Sequence, residues 1–237
     1  MTKPAAGYLD LDDIRIAYSE HGSGPNLILL HGNSGSKEML RSYQTSHFTD
    51  FHTWALDSRC HGRSRSDDDS LSIEQIGDDV IRFCRAKGIA EAGVIGYSDG
   101  GNIALFLAKK EPALFPRVIA ISPNYLVSGT TDSGLRLFRA MRAVSVFIGR
   151  LGFDTRRQVL RIDLTLRDIG LTDDDLRGIQ TRMLILHAEN DLVKEDHIMR
   201  MTGLIPGCER VLVPRCSHIS IPGKPESITA MRKFLGR

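Results

Sequence analysis

The stretch Val-Ile-Gly-Tyr-Ser-Asp-Gly-Gly-Asn, residues 94–102, carries the strongest structural signal in this sequence. It predicts a short apolar strand, a sharp glycine-bounded turn and a helix that starts near Asn102. Gly-Tyr-Ser-Asp-Gly, residues 96–100, places a serine at the centre of that turn. A strand-to-helix turn of the form Gly-x-Ser-x-Gly projects the serine hydroxyl clear of the sheet. The helix N-terminus behind it favours developing negative charge. We therefore predict that Ser98 is a catalytic nucleophile.

On either side of this stretch, short apolar runs alternate with amphipathic ones. The predicted strands are Leu27–Leu30, Phe51–Leu56, Val94–Tyr97, Val118–Ile121, Met183–Leu186 and Val211–Val213, after an N-terminal hairpin of Tyr8–Leu11 and Ile14–Tyr18. The predicted helices are Ser36–Phe48, Ser72–Lys87, Asn102–Lys110, Lys194–Leu204 and Glu226–Leu235. This alternation predicts an α/β fold, a mostly parallel twisted sheet with helices on both faces.

One segment interrupts the alternation and shows only helical patterns. Residues 125–178 contain an apolar stripe at helical spacing: Leu137, Met141, Val144, Ile148 and Leu151. Two further helices are predicted, one around Val159–Leu166 and one opening at Thr172 with a capping box. We predict a core of residues 1–124 and 179–237 and an inserted helical cap of residues 125–178; an ordinary long crossover is the alternative.

The stripe is wide enough to cover one pocket, and we expect it to face that pocket. The segment also contains nine arginines and seven aspartates, which we expect to stay in water. An interfacial lipase lid would present a broad apolar face with few charges. The pattern therefore favours dissolved substrates over lipid surfaces.

A serine nucleophile needs a base, and the base needs a carboxylate partner. His218 follows the last predicted strand, and Asp191 follows the strand before it. The chain order nucleophile, acid, base suits a triad of Ser98, Asp191 and His218. His187 and His197 are competing bases; His197 lies on a helix predicted to be exposed, and His187 would pack beside the acid. Glu189 is the alternative acid.

The oxyanion formed during attack on a carbonyl needs two donors. We predict that the backbone N–H groups of Asp99 and Asn33 supply them, with Ser34 as the alternative to Asn33. Whether the Asn33 side chain also faces the substrate is left open. The Asp99 carboxylate is interpreted as a helix-start acid that interacts with the helix dipole, and the alternative is an acid that modulates the charge of the site.

These motifs resemble those of the α/β-hydrolase-fold family. The resemblance is carried by His31-Gly32-Asn33, Asp57-x-Arg59-x-His61-Gly62-x-Ser64, residues 96–101, Asp191 and His218, and it spans nearly the whole chain outside the insertion. It implies a structural role for Asp57 and Arg59 in a turn near the site. The acid turn of such proteins reads Gly-x-x-Asp, and here Ala188 replaces the glycine.

Composition narrows the functional classes. The chain has 237 residues, a net charge of +2 and 41% hydrophobic residues, a balance that favours neither nucleic acid nor a membrane surface as partner. Its longest apolar run is far shorter than a membrane span, and its first residues lack a signal-peptide pattern. Its four cysteines show no disulfide or zinc spacing. We expect a cytoplasmic protein without a metal or an organic cofactor.

The sequence therefore predicts a Ser-His-Asp hydrolase, and a carboxylesterase for small to medium esters is the favoured form. The same triad suits hydrolysis of a carbon–carbon bond, a thioester or an amide. A non-catalytic ligand-binding relative is a further alternative, because fold alone does not set function.

Overall fold

The computed structural model describes residues 3–67 and 70–236. Within these residues there are eight strands: β1 (Ala5–Leu11), β2 (Ile14–His21), β3 (Asn26–Leu30), β4 (His52–Leu56), β5 (Gly93–Tyr97), β6 (Arg117–Ile121), β7 (Arg182–Asn190) and β8 (Glu209–Ser217). The same residues form seven α-helices: α1 (Ile73–Ala86), α2 (Asp99–Lys110), α3 (Asp132–Arg150), α4 (Arg156–Thr165), α5 (Asp173–Arg177), α6 (Glu195–Leu204) and α7 (Pro225–Phe234).

The strands form one sheet in the order β1-β2-β4-β3-β5-β6-β7-β8. From β4 to β8 every neighbouring pair is parallel, whereas β2 pairs antiparallel with both β1 and β4. The predicted mostly parallel α/β fold is confirmed. Because the parallel strands share one direction, the loops after β3, β5, β7 and β8 meet at one edge of the sheet.

The central strand β3 shows why this sheet needs helices on both faces. Leu27, Ile28, Leu29 and Leu30 are all fully buried. Ile28 and Leu30 pack into one apolar core, whereas Leu27 and Leu29 pack into a second core on the opposite face. A strand buried on both sides carries a continuous aliphatic run, as the sequence does here.

The predicted helix Ser36–Phe48 is present as a continuous helical segment over residues 37–47, but it is not a regular α-helix. It begins as a 3-10 turn, Lys37–Leu40, and ends as a π-helical turn, Tyr43–His47. Tertiary contacts explain the difference. The main-chain N–H and the Nζ of Lys37 both bind the Asp57 carboxylate, at 2.6 and 3.0 Å. The buried Gln44 side chain binds the neighbouring strands β2 and β4 instead of facing solvent.

The segment 125–178 holds α3, α4 and α5 between strands β6 and β7. The predicted capping box that opens α5 is present, with reciprocal hydrogen bonds between Thr172 and Asp175. Among the described residues, no helix is both long and apolar enough to cross a membrane.

The expectation that the α3 stripe faces a pocket is wrong. All five of its residues, Leu137, Met141, Val144, Ile148 and Leu151, are between 37% and 61% exposed. A neighbouring face of α3, about 90° around the helix from the stripe, packs instead. It presents buried Ser145 and, at Gly149, no side chain, so Thr155 approaches closely and donates a hydrogen bond to the Ser145 carbonyl at 2.9 Å. The small residues allow this close approach, which leaves the larger apolar residues outside.

Candidate active site

Ser98 lies between β5 and α2 in a strained backbone conformation. Its φ is +55° and its ψ is −117°, a region that residues with side chains rarely occupy. A Cβ atom on Gly96 would lie 2.0 Å from the carbonyl oxygen of Gly100, and one on Gly100 would lie 2.4 Å from that of Leu30. The turn therefore requires both glycines. Helix α2 starts at Asp99, directly after the serine and earlier than the sequence predicts.

The structure brings the three predicted catalytic side chains together from three separate loops. Ser98 Oγ lies 3.0 Å from Nε2 of His218, and Nδ1 of His218 lies 2.6 Å from Oδ1 of Asp191. An ionised carboxylate only accepts hydrogen bonds, so Nδ1 carries the ring proton and Nε2 is left to accept from the serine hydroxyl. This geometry allows His218 to act as a general base toward Ser98.

The Asp191 carboxylate is fixed by further donors. Its Oδ2 accepts from the Ser122 hydroxyl at 2.5 Å and from the Ala188 N–H at 2.9 Å, and its Oδ1 accepts from the Val193 N–H at 3.2 Å. Burial raises the pKa of Asp191, but the hydrogen bonds and charge of His218, with the Ser122 and Ala188 hydrogen bonds, bring that pKa below its usual value. The carboxylate thus stays ionised beside the imidazole. Alanine in place of the expected glycine at position 188 still donates its N–H, so the acid turn closes.

The alternative site residues lie elsewhere. Glu189 accepts from the Arg215 N–H at 2.7 Å and is exposed, so it is not the partner of the imidazole. His197 was expected on an exposed helix face, and this is wrong: it is buried and stacks on Tyr125 with ring centroids 4.9 Å apart. His187 is buried on β7. Neither ring is the one that contacts the serine hydroxyl.

The two predicted oxyanion donors flank the serine. Among the described residues, the backbone N–H groups of Asn33 and Asp99 have no acceptor. The Asn33 loop is pressed against the serine, since a Cβ atom on Gly32 would lie 3.0 Å from the Cβ of Ser98. The Ser34 N–H also has no acceptor in this part of the chain, so the choice between Asn33 and Ser34 stays open.

The Asn33 side chain is fully engaged within the protein. Its Nδ2 donates both hydrogens, one to Oδ2 of Asp99 at 2.9 Å and one to the main-chain carbonyl of Arg161 at 2.6 Å. Its Oδ1 accepts from the Ser34 hydroxyl at 2.9 Å. No N–H of this amide is left for a substrate. Instead it joins the loop after β3 to the start of α2 and to helix α4.

Comparison with known proteins places this architecture in a family. A family model described as the alpha/beta hydrolase fold matches residues 25–146. This chain belongs to the α/β-hydrolase fold family. The match covers the loop after β3, which contains Asn33, and the turn at Ser98. Beyond the match, the order of strands and helices continues the same fold.

Relatives of this α/β hydrolase include enzymes named for different substrates. It is 26% identical to 2-(acetamidomethylene)succinate hydrolase of Mesorhizobium japonicum over 96% of this chain and 94% of that protein. It is 24% identical to the pimeloyl-[acyl-carrier protein] methyl ester esterase of Nitrosospira multiformis over 88% of this chain and 93% of that protein. The family and these relatives support a hydrolase.

A solved structure shows the same fold at lower sequence identity. MGS-M2, an α/β hydrolase from a Medee basin deep-sea metagenome library, superposes with a TM-score of 0.84 at 18% identity and covers 98% of each chain. At this identity the likeness concerns the fold alone.

Burial changes the acidity of Asp99 in this α/β hydrolase. Asp99 is the first residue of α2 and is only 5% exposed. Burial raises its pKa to about 6, an effect that outweighs the hydrogen bond from Asn33 and the charge of His218. The carboxyl group therefore titrates close to the nucleophile at mildly acidic pH.

Two supporting groups were missed by sequence reasoning. The Ser122 hydroxyl binds the Asp191 carboxylate, and Ser122 has a positive φ of 51°. The Tyr97 hydroxyl donates to the main-chain carbonyl of His218 at 2.9 Å. Tyr97 is the last residue of β5 and Ser122 directly follows β6, and these positions at strand ends were the available signal.

Asp57 and Arg59 make contacts that fit a structural turn. Asp57 accepts from Lys37 Nζ at 3.0 Å and from the Arg63 N–H at 2.8 Å. Arg59 forms a paired hydrogen bond to both oxygens of Asp79, each at 2.8 Å. In the described part of the chain, no three His, Cys, Asp or Glu side chains are grouped so that they could hold a metal ion. The expectation of catalysis without a metal or cofactor stays a prediction.

Proposed function

We propose that this protein is a serine hydrolase that cleaves small to medium carboxylic esters through an acyl-enzyme on Ser98. The observation that carries the proposal is the hydrogen-bonded series from Ser98 Oγ to His218 and from His218 to Asp191, at 3.0 and 2.6 Å. The strained turn at Ser98 and the free N–H groups of Asn33 and Asp99 support it.

The proposed reaction proceeds in two halves. Ser98 Oγ bonds to the carbonyl carbon while its proton moves to Nε2 of His218, and the N–H groups of Asn33 and Asp99 bind the resulting oxyanion. The carbon–oxygen bond to the alcohol then breaks, and the alcohol leaves with the proton from His218. Water next gives a proton to His218 and attacks the acyl group. Ser98 recovers its proton as the acid departs.

We also propose that residues 125–178 act as a cap over the rest of the fold, residues 1–124 and 179–237. The hydrogen bond from Asn33 Nδ2 to the Arg161 carbonyl supports this, because it places α4 of the insertion against the oxyanion loop. A cytoplasmic location completes the proposal, supported by four free cysteines, Cys60, Cys84, Cys208 and Cys216.

An ester is favoured over an amide or a carbon–carbon bond because an alcohol leaves more easily than an amine or a carbanion, so a general base and an oxyanion hole suffice to cleave it. A thioester needs the same two groups, and its cleavage is measured beside that of the esters. The name of the methyl ester esterase relative supports the same choice. The other relative is named as a succinate hydrolase and not as an esterase, so the experiment also measures substrates other than esters.

The decisive experiment measures hydrolysis of p-nitrophenyl esters of increasing chain length beside matched thioesters and anilides. We expect ester turnover that falls by roughly 10⁶ in kcat in Ser98→Ala. Ser23→Ala, which changes an exposed serine in a turn, is the control and should keep full activity. A fluorophosphonate should label Ser98 in the wild-type protein. Undiminished turnover in Ser98→Ala, or binding of esters without turnover, would contradict the proposal.

A second measurement addresses the physical state of the substrate. The rate on tributyrin is followed from dissolved concentrations through saturation. We expect no rise in rate when the emulsion forms. The exposed α3 stripe is an apolar surface that a lipid droplet would bind, so the tributyrin curve tests this expectation directly. A marked rise in rate at the emulsion surface would contradict the proposal of dissolved esters and would indicate a lipid substrate.

A further inference from the structure

Among the described residues, the guanidinium group of Arg161 on helix α4 has no hydrogen-bond or ion-pair partner. Its Nε is buried and has no acceptor, and no described carboxylate lies within salt-bridge distance of the group. Some other arginines of the insertion are paired, such as Arg142 with Asp163 at 2.5 Å and Arg177 with Asp174 at 2.6 Å. An unpaired cation that loses hydration is costly, so a buried one usually has an anionic partner.

The main chain of Arg161 is attached to the loop that packs against Ser98. Its carbonyl accepts the 2.6 Å hydrogen bond from Asn33, the predicted oxyanion residue. A Cβ atom on Gly32, the residue before Asn33, would lie 3.0 Å from the Cβ of Ser98. Arg161 therefore lies on a helix that contacts the loop beside Ser98.

The groups around the guanidinium supply no counter-ion. Its charge acts on His31 and His61, and burial lowers the pKa of both rings, to about 3 for His61, so they are neutral at pH 7. The buried carboxylates of the adjoining loops are already bound. Asp57 accepts from Lys37 and Arg63, and Asp99 accepts from Asn33. Burial lowers the pKa of Arg161 itself; Cys60 acts against that effect and the charge of Arg157 adds to it.

We infer that Arg161 binds a carboxylate group of the substrate, so that the preferred esters carry a negative charge on the acyl side of the scissile bond. This inference rests on the proposed function of the Ser98 site. A guanidinium is planar and offers paired N–H donors that match the two oxygens of a carboxylate. The Arg161 side chain is only partly buried as a whole, so its outer nitrogens remain accessible while its inner Nε is enclosed. A single guanidinium without a partner matches a single carboxylate in charge.

The inference predicts a preference between substrates of equal shape. Mono-p-nitrophenyl glutarate and p-nitrophenyl pentanoate have the same chain length and differ in a terminal carboxylate against a methyl group. Mono-p-nitrophenyl adipate and p-nitrophenyl hexanoate form a second pair. We expect kcat/KM to favour one or both of the charged esters by about tenfold or more.

Substitutions then assign the preference to Arg161. In Arg161→Met we expect the charged-to-neutral ratio to fall about tenfold, while kcat/KM for the neutral esters stays within about threefold. Arg161→Lys keeps the charge and should retain part of the preference. Arg139→Met removes the same charge from the exposed face of α3 and should leave the ratio unchanged.

Thermal stability and inhibition by glutarate test the same inference without relying on cleavage of the charged esters. Removing a buried cation that has no partner should raise the Tm of the unliganded Arg161→Met variant by a few degrees, on the order of 2–4 °C for a chain of this size. Glutarate should inhibit the wild-type enzyme competitively and should lose that effect in Arg161→Met.

The outcomes separate this inference from the function on which it rests. Failure of the wild-type protein to cleave any ester would overturn both. Cleavage that depends on Ser98, with no preference for the charged esters or with a preference unchanged in Arg161→Met, would overturn the role of Arg161 alone. A lower Tm in Arg161→Met would also count against it, because it would mean that the guanidinium stabilises the unliganded fold.

Discussion

The side-chain Nδ2 of Asn33 lies 2.6 Å from the main-chain carbonyl oxygen of Arg161. One amide therefore connects a loop of the sheet to a helix of the inserted segment, while its second hydrogen binds the carboxylate of Asp99. Asp99 directly follows Ser98, so this amide connects the start of α2 to α4.

Asn33→Ala should weaken both the fold and the reaction. It leaves the buried Asp99 carboxylate without this donor, so we expect the free energy of unfolding to fall by about 1–3 kcal/mol. The oxyanion loop also loses its attachment to α4, so kcat should fall more than KM rises. Chemical denaturation and ester kinetics measure the two effects. Ser34→Gly removes only the hydroxyl bound to Oδ1 and suits the positive φ of 55° at that position. An equal loss in both variants would argue against a special role for the amide.

Asp99→Asn should change stability in a pH-dependent way. Burial raises the pKa of Asp99 to about 6, whereas an exposed aspartate titrates near 3.9. Between these values the folded protein holds a proton that the unfolded chain has released, so the stability contributed by this group falls as pH rises from about 4 to about 6. The variant cannot ionise. It should match the wild-type protein near pH 4 and exceed it by about 1–3 kcal/mol at pH 7.

The measurement for Asp99 is urea unfolding of both proteins at several pH values between 4 and 7. Only the difference between the two proteins matters, because all other titrating groups are shared. A difference that does not vary with pH would show that Asp99 is ionised throughout this range.

Ser122→Gly should slow catalysis and also weaken the fold. The variant removes the hydroxyl that binds Asp191, while glycine accepts the positive φ of 51° more readily than serine does and so offsets part of the loss. A hydrogen bond to a charged group contributes about 1.5–3 kcal/mol, so we expect the free energy of unfolding to fall by no more than about that amount and kcat to fall by about 10–100-fold. The pKa of the essential base in the pH–rate profile should also shift. Unchanged kcat with a lower Tm would assign Ser122 a structural role only.

Asp191→Asn should lower kcat by roughly 10⁴ because the imidazole of His218 loses the acceptor that fixes its tautomer. Glu189→Gln is the matched control, since it makes the same change on the exposed carboxylate two residues earlier. Its activity should stay near that of the wild-type protein. Loss of activity in Glu189→Gln with retention in Asp191→Asn would reverse the assignment of the acid.

Two adjacent residues of α3 test which of its faces is packed. Val144→Gln lies on the exposed stripe and should change the free energy of unfolding by less than about 0.5 kcal/mol. Ser145→Gln lies on the buried face, where a larger side chain has no room, and should cost about 1–3 kcal/mol. Thermal and urea unfolding of the two variants give the comparison. Similar values would mean that α3 is packed in another way.

The catalytic constellation was accessible from the sequence because each of its members follows a strand. Strand ends of a parallel sheet meet at one edge, so Ser98, Asp191 and His218 could be placed near one another from chain order alone. The buried strand β3 was equally clear, because an unbroken aliphatic run suits a strand with helices on both sides.

Features that depend on neighbours distant in the chain were not accessible. The α3 stripe identifies an apolar face, but Ser145 and Gly149 decide that a neighbouring face packs, and this follows from the approach of Thr155. In the same way, the segment 36–48 has a helical pattern, and contacts from Lys37 to Asp57 accompany its departure from regular α-helix. Ser122 has no local motif; its importance comes from the strand that lies beside the acid turn.

The hydrogen bond between the Asn33 side chain and position 161 uses a main-chain carbonyl as its acceptor, and every residue supplies one. A change of side chain at this position therefore leaves the attachment of α4 to the oxyanion loop in place. Substrate preference can drift at position 161 during evolution, or be redesigned there, without loosening the loop on which the reaction rate depends. A library of all side chains at this single position should consist mostly of folded proteins that retain basal turnover, and it offers a compact route to new selectivities on this scaffold.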